Sequence, residues 1–173
     1  MIIVLIGYMA SGKSTIGRIL ANKLDYDFID LDNYIEKKEG QSIVDIFKTK
    51  GEIYFRKKEA LHLSKIIAVE NNFILSLGGG TPCYGNNMNI LLDHINVTSI
   101  YLKASIGTLI ERLENEKSKR PLISHLKNQE ALGEFIGKHL FERTQFYSQA
   151  NFTVATNNKT QDEIIENTIL KLF

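Results

Sequence analysis

The sequence predicts an α/β protein in which helices cover both faces of a parallel sheet of five strands. The first observation is a phosphate-binding loop signature, Gly7–Ser14, placed directly after an N-terminal apolar run. The second is that short apolar runs alternate with amphipathic helical segments along the whole chain, which is the pattern of parallel sheets. The third is a length of 173 residues without repeats or linkers. We therefore expect a single domain over residues 1–173.

The segment Gly7–Ser14 fits the pattern G-x-x-x-x-G-K-[ST] of a phosphate-binding loop. Before it, Met1–Ile6 is apolar and rich in β-branched residues, which predicts a strand buried on both faces. After it, apolar residues recur at helical spacing. In this context backbone N–H groups and the start of a helix would face phosphate oxygens. Lys13 would contact the β- and γ-phosphates, and the Ser14 hydroxyl would bind a magnesium ion.

A second predicted strand, Tyr26–Asp30, is followed closely by another carboxylate, Asp32. Ligands of parallel α/β sheets bind at the carboxyl ends of the strands. The pair Asp30 and Asp32 would therefore suit either a metal ion or a hydroxyl group about to lose its proton. Asp32 could instead cap a helix that starts at Asn33. The two interpretations of Asp32 are balanced by themselves, and the phosphate loop in the same chain favours the functional one.

The next segment contains two predicted helices, one before Gly51 and one spanning Glu52–Glu70. A basic cluster lies near the start of the second helix. Lys57 and Lys58 are expected to be solvated. Arg56, beside an aromatic residue, is a candidate for binding a substrate carboxylate through two parallel N–H bonds.

A third predicted strand, Asn72–Leu77, ends in Gly78, Gly79 and Gly80. Three glycines leave backbone N–H groups bare, so that a small ligand can approach closely. A flexible turn is the alternative interpretation, and we favour the ligand site. Many phosphate-loop proteins carry an aspartate on such a strand to help hold magnesium, and this chain has Ser76 there.

The remainder of the chain continues the alternation of helices and strands. The predicted elements are helix Asn86–Asp93, strand Ser99–Leu102, helices Ile106–Glu116 and Gln129–Gln149, strand Phe152–Thr156 and helix Thr160–Leu172. Between residues 114 and 124 the chain is polar and contains Arg120 and Pro121, which predicts a mobile loop that closes over phosphates. An ordinary solvated linker is the alternative. Arg143 is either a surface arginine or a second anion-binding group.

Composition excludes several classes of protein. The net charge is +1, from 21 basic and 20 acidic residues, so the chain has no global field for nucleic acid or membrane. No apolar run approaches the ~20 residues of a membrane span, and the N-terminal run lacks the features of a signal peptide. The single cysteine, Cys83, excludes an internal disulfide and is expected to be a packed or loop thiol rather than a nucleophile. We expect a cytoplasmic monomer.

Taken together, the motifs resemble those of the shikimate kinases over essentially the whole chain. The matching segments are GYMASGKST from Gly7, DLD from Asp30, FRKKE around Arg56, LSLGGG from Leu75, KRPL around Arg120, and Arg143 with Tyr147. The resemblance implies ATP-dependent phosphorylation of the 3-hydroxyl of shikimate, a step towards aromatic amino acids, with Mg²⁺ as the cofactor. It also implies the phosphate-loop fold of the nucleoside monophosphate kinases, with strand order 2-3-1-4-5.

The resemblance also implies roles for individual residues. Asp32 would activate the hydroxyl, Lys13 would bind phosphates, and Arg120 would act from a lid at 114–124. The ATP site would comprise Gly7, Met9, Ala10, Ser11, Gly12, Lys13, Ser14, Thr15, Arg112, Arg120 and Asn157. The shikimate site, centred on region 31–61, would comprise Asp32, Phe47, Phe55, Arg56, Gly78, Gly79, Gly80 and Arg143. Magnesium would be bound by Ser14 directly and by Asp30 and Ser76 through water.

Two segments depart from the pattern of that family. Thr81–Tyr84 stands where small apolar residues usually follow the triple glycine, and Ala155 stands where an aspartate is frequent. The contacts of both segments with substrates stay open. A related kinase of another hydroxy acid, such as gluconate, is the alternative function. A GTP-dependent switch is disfavoured, because Asp162 is one residue late for the guanine-binding motif that Asn158 and Lys159 would begin.

Overall fold

The structure is a computed structural model that describes residues 1–114, 116 and 122–173. Its sheet has five parallel strands in the order β2-β3-β1-β4-β5, which confirms the predicted fold and order. The strands are β1 Ile2–Ile6, β2 Asp27–Asp30, β3 Phe73–Ser76, β4 Val97–Lys103 and β5 Phe152–Ala155. Because all strands are parallel, their carboxyl ends lie along one edge of the sheet.

Helices connect successive strands, as the alternating pattern predicts. They are α1 Lys13–Leu24, α2 Leu31–Glu39, α3 Ile43–Ile67, α4 Asn87–Asp93, α5 Ile106–Glu114, α6 Gln129–Tyr147 and α7 Gln161–Leu172, with a short 3₁₀-helix at Thr81–Cys83. No helix in the described part of the chain is long and apolar enough to cross a membrane.

The central strand β1 divides the core into two halves. All five of its residues are buried. Ile2, Val4 and Ile6 belong to a cluster that includes residues of α2 to α6, whereas Ile3 and Leu5 belong to a cluster with residues of α1 and α7. Successive side chains of a strand point to opposite faces. The strand therefore needs to be apolar throughout, as the run Met1–Ile6 is.

The structure excludes the alternative interpretation of Asp32 as a helix cap, and it corrects one prediction about solvation. Asp32 does not cap α2, because the helix already begins at Leu31 and its cap is Asp30, whose carboxylate accepts a hydrogen bond from the Asn33 N–H at 3.4 Å. Lys58 is not simply solvated, because its Nζ lies 3.2 Å from Glu39 Oε1. The predicted break in α3 is present, where Gly51 has φ 82° and ψ 169° and divides the helix at a kink.

Candidate active site

The phosphate loop joins β1 to α1 at the carboxyl edge of the sheet. At Gly7 (φ 153°) a Cβ atom would lie 2.6 Å from Ser11 Oγ and 2.8 Å from the Leu102 carbonyl oxygen, so a side chain does not fit. Lys13 Nζ donates to the carbonyl oxygens of Gly7 at 2.8 Å and Tyr8 at 2.9 Å. The ammonium group therefore lies across the concave side of the loop, within reach of a phosphate bound there.

Three side-chain oxygens meet beside the start of α1. Ser14 Oγ donates to Asp30 Oδ2 at 2.8 Å and lies 3.5 Å from Ser76 Oγ. Asp30 and Ser76 are register partners on β2 and β3, which explains why they converge. Hydroxyl and carboxylate oxygens are ligands that Mg²⁺ prefers. The donor set therefore fits the predicted magnesium site.

The larger cleft, of about 770 Å³, follows the phosphate loop. It is lined by Met9–Ile16, Asp30, Asp32, Ser76–Gly79, Arg112, Glu116, Lys159–Gln161 and Ile164. Arg112 borders it, donating to the carbonyl oxygens of Ala10 at 3.0 Å and Thr156 at 3.3 Å. Asn157 is not among the lining residues, because its side-chain oxygen accepts the Ser105 N–H at 2.7 Å. Three lining residues, Lys159, Thr160 and Gln161, were not predicted from the sequence, although the Thr160–Glu163 capping box marks the helix start that places them at this cleft.

The smaller cleft, of about 350 Å³, adjoins the larger one. It is lined by Met9, Asp32, Ile43, Phe47, Phe55, Arg56, Glu59, Gly78, Gly79, Gly80, Leu122 and Arg143. The rings of Phe47 and Phe55 form an apolar wall, with their centroids 4.9 Å apart. All eight residues that the sequence analysis proposed for an acceptor site line this cleft. The shape and the mixture of apolar and cationic groups suit a small anionic ligand.

Asp32 lies where the two clefts meet, since both clefts are lined by Asp32, Met9, Gly78 and Gly79. Burial, followed by the nearby carboxylates of Asp30 and Glu59, raises the pKa of Asp32 to about 6. The backbone of Gly78 approaches the Asp32 carboxylate closely, since a Cβ at Gly78 would lie 2.9 Å from Asp32 Oδ1. A carboxylate with a pKa near neutrality, placed between two ligand sites, is suited to accept a proton.

Arg56 is held by carboxylates on its own helix. Its Nε and Nη2 each lie 3.3 Å from Glu52 Oε1, and its Nη1 lies 3.0 Å from Glu59 Oε2. Glu59 is 1% exposed and also accepts the Thr81 hydroxyl at 2.6 Å. Glu59 was not predicted from the sequence, although its spacing of three residues from Arg56 is that of neighbours on a helix face.

Arg143 enters the smaller cleft from α6. A Cβ at Gly79 would lie 3.6 Å from its Nη1, and its Cζ lies 5.6 Å from the centre of the Tyr8 ring. The Tyr147 hydroxyl donates to the Gly79 carbonyl oxygen, which ties α6 to the glycine segment. Arg143 therefore lines the smaller cleft, where an anion-binding group would lie.

Two further predictions can be compared with the structure. Arg120, with most of the polar segment around it, lies outside the described residues. Cys83 is half-buried, and burial raises the pKa of its thiol to about 11, which agrees with the expected packed and unreactive thiol.

The fold and the site together define a phosphate-loop kinase, in which the cleft along the phosphate loop adjoins a smaller cleft lined by Arg56 and Arg143. The family model for shikimate kinase matches residues 9–173. A shikimate kinase of Flavobacterium psychrophilum is 47% identical over 164 residues, which are 95% of this chain and 94% of that one. The chain belongs to the shikimate kinase family.

Solved structures agree with this assignment. A shikimate kinase from Bacteroides thetaiotaomicron is 31% identical, with a TM-score of 0.91 over 99% of this chain and 98% of that one. A shikimate kinase from Acinetobacter baumannii, solved in complex with shikimate, is 30% identical, with a TM-score of 0.84 over 99% of this chain and 91% of that one. Both likenesses extend over the whole fold, including the elements that form the two clefts.

Proposed function

We propose that this chain transfers the γ-phosphoryl group of ATP to the 3-hydroxyl of shikimate, in the pathway to chorismate and aromatic amino acids. The observation that carries the proposal is the meeting of the two clefts at Asp32. Phosphoryl transfer needs a donor and an acceptor held in line, with charge neutralised around them. Membership of the shikimate kinase family and a relative solved with shikimate support the choice of acceptor.

On the nucleotide side, the larger cleft binds ATP. Lys13 binds the β- and γ-phosphates, which compete with the Gly7 and Tyr8 carbonyl oxygens for its ammonium group. The loop residues from Gly7 to Thr15 surround the phosphates, and Arg112 packs against the adenine at the open side of the cleft. The hydrogen bonds of Arg112 to Ala10 and Thr156 support that role, because they hold the guanidinium beside the cleft.

The magnesium ion that the family implies fits the oxygens of Ser14, Asp30 and Ser76. We propose that Ser14 binds it directly and that the other two bind it through water. When bound, the ion neutralises phosphate charge during transfer.

On the acceptor side, the smaller cleft binds shikimate. Arg56 and Arg143 bind its carboxylate, the triple glycine faces its ring, and Phe47 with Phe55 closes the apolar side. Asp32 takes the proton of the 3-hydroxyl as that oxygen forms its bond to the γ-phosphorus. The bond from phosphorus to the β–γ bridging oxygen breaks, and ADP leaves with the electron pair. Because the pKa of Asp32 is about 6, it is largely ionised at neutral pH and still basic enough to accept the proton.

We also assign a role to each region of the chain. Residues 1–173 act as one kinase domain and one monomer in the cytoplasm, with region 31–61 binding the acceptor. The segment 114–124 acts as a lid that excludes water, and Arg120 contacts the transferring phosphoryl group from it. The polar composition of that segment and the presence of Arg120 beside a proline support this assignment.

A panel of acceptors tests the proposed function. ADP release is measured with Mg·ATP and either shikimate, gluconate, a nucleoside monophosphate or no acceptor. We expect release that depends on shikimate and exceeds the other rates by at least ~10²-fold, because the two arginines and the glycine segment fit one small ring-shaped acid. Equal or faster release with gluconate would assign the acceptor cleft to the related hydroxy acid. Release that ignores every acceptor would refute a kinase of this kind.

The two arginines are tested with a matched control on the same helix. Arg56→Ala and Arg143→Ala should each raise the KM for shikimate by roughly 10- to 100-fold, since a hydrogen bond to a charged group is worth about 1.5–3 kcal/mol. Lys57→Ala should change it less than twofold, because Lys57 is exposed and lines neither cleft. Three variants with the same KM would show that neither arginine binds the carboxylate.

A further inference from the structure

Tyr84 is not among the residues that line the smaller cleft, yet it contacts Arg56, which does line it. The Arg56 Cζ atom is 3.7 Å from the centre of the Tyr84 ring. In the described part of the chain the other cation–ring distances run from 4.7 to 5.6 Å. At 3.7 Å the central carbon of the guanidinium is in van der Waals contact with the face of the ring.

The hydrogen bonds of Arg56 leave one direction of movement open. Its bonds to Glu52 and Glu59 use the Nε–H, one Nη2–H and one Nη1–H. A guanidinium has five N–H donors in one plane. One N–H therefore remains on each terminal nitrogen without a hydrogen bond to the described residues. Bonds in the plane resist rotation within that plane, but they resist displacement along its normal only weakly.

The segment that departs from the family pattern holds Tyr84 against Arg56. The Tyr84 carbonyl oxygen accepts the Asn87 N–H at 3.3 Å, and Asn87 Nδ2 donates to the Thr81 carbonyl oxygen at 2.9 Å. Thr81 and Asn87 are 0% and 1% exposed. Thr81 also donates to Glu59, which binds Arg56 in the plane. The segment Thr81–Tyr84 thus acts on the guanidinium in two ways. The Tyr84 ring packs on its face, and Thr81 binds Glu59, which binds its edge.

Gly80 lies beside both the Arg56 guanidinium and the Tyr84 ring. A Cβ there would lie 3.2 Å from both Nη1 and Nη2 of Arg56 and 3.4 Å from Tyr84 Cε2. The glycine therefore leaves space beside the two terminal nitrogens, where the remaining donors are. The ring of Tyr84 borders that space.

We propose that Tyr84 is a positioning residue for acceptor binding, and this rests on the proposed function. Its ring packs on the face of the Arg56 guanidinium and keeps the two remaining N–H groups aimed at the substrate carboxylate. The aromatic face carries the effect and the hydroxyl does not, because that hydroxyl makes no hydrogen bond to the described residues. Tyr84 thereby acts on affinity for the acceptor and not on the transfer step.

Steady-state kinetics of three variants test this inference. Tyr84→Leu removes the aromatic face, and we expect the KM for shikimate to rise about 3- to 30-fold. The kcat at saturating shikimate and the KM for ATP should change less than twofold. Tyr84→Phe keeps the ring and should stay within twofold of the parent in all three constants. Tyr26→Leu is the control, because it makes the same substitution at a half-buried tyrosine just before β2, at the amino ends of the strands. It should leave the KM for shikimate unchanged.

A double variant separates positioning from packing. If Tyr84 acts through Arg56, then Tyr84→Leu should add less than twofold to the KM for shikimate when Arg56 is already alanine. Multiplicative effects of the two substitutions would overturn the inference. So would an unchanged KM in Tyr84→Leu, an equal loss in Tyr84→Phe, or parallel changes in kcat and both KM values. Absence of shikimate-dependent ADP release in the parent would instead refute the proposed function, and this inference with it.

Discussion

Replacing Asp32 by asparagine should make the protein more stable and far less active. Burial of this carboxyl group in the folded state, followed by the nearby carboxylates of Asp30 and Glu59, raises its pKa to about 6. An unfolded aspartate has a pKa of about 3.9. The folded state therefore binds the proton more tightly, and its stability falls as pH rises through the interval from about 4 to 6. Asparagine does not ionise and escapes this loss.

The size of the effect follows from the pKa difference. A difference of about two pKa units corresponds to roughly 3 kcal/mol at 1.36 kcal/mol for each unit. The side chain is partly exposed at the junction of the clefts, so solvent screening reduces the cost. We expect Asp32→Asn to raise the free energy of unfolding by roughly 1–2 kcal/mol at pH 7.5 and by almost nothing at pH 4.

Urea unfolding of parent and variant at both pH values measures this difference. Asp27→Asn, at an exposed position on β2, serves as the control and should show no comparable dependence on pH. In the same preparation, kcat should fall ~10²-fold or more because the proton acceptor is lost. The acid limb of the kcat/KM profile of the parent should lie near pH 6. A variant that is no more stable at pH 7.5 than at pH 4, relative to the parent, would refute the reasoning.

Three further changes have distinct expected results. Lys13→Ala should abolish most phosphoryl transfer and leave the far-ultraviolet circular dichroism spectrum intact, since Lys13 faces the loop rather than the core; near-normal turnover would contradict its role. Gly78→Ala should lower kcat roughly 10-fold or more, because the new Cβ would lie 2.9 Å from Asp32 Oδ1; unchanged kinetics would show that the carboxylate tolerates displacement. Glu39→Gln should cost ~1 kcal/mol of unfolding free energy at pH 7. Hydrogen bonds from Tyr54 and His62 lower the pKa of Glu39 to about 2, so this cost should shrink as pH falls below about 4 towards 2, which urea unfolding across pH would reveal.

The residues of the phosphate loop could be recognised in sequence because the loop is local. Eight consecutive residues, which include two glycines and one lysine, form the loop within a single strand–turn–helix unit. The same holds for the strands, whose apolar runs were located to within a few residues, and for the kink at Gly51. The strand order was predicted only from the resemblance to a family, because local sequence patterns do not indicate which distant strands pair.

The ends of helices were predicted less accurately from the sequence, since several neighbouring polar residues can each act as the N-cap. The sequence offered Asp32 as a possible cap of the second helix, whereas the backbone geometry makes Asp30 the cap. That choice leaves Asp32 in the first turn, with its carboxylate at the junction of the two clefts. Likewise Asn157 follows the last strand in sequence, but its side-chain oxygen accepts a hydrogen bond from the Ser105 N–H instead of lining the larger cleft.

By itself the sequence determined the phosphate loop, the alternation of helices and strands, and the candidates for acceptor binding. The tertiary structure decided which candidates meet: α3 brings Arg56, α6 brings Arg143, and the end of β3 brings the glycines to one cleft. It also decided that Tyr84 lies on the face of Arg56 and that Glu59 binds its edge. Local propensities and motifs arise from neighbours along the chain, whereas convergence of distant side chains depends on how the helices pack on the sheet.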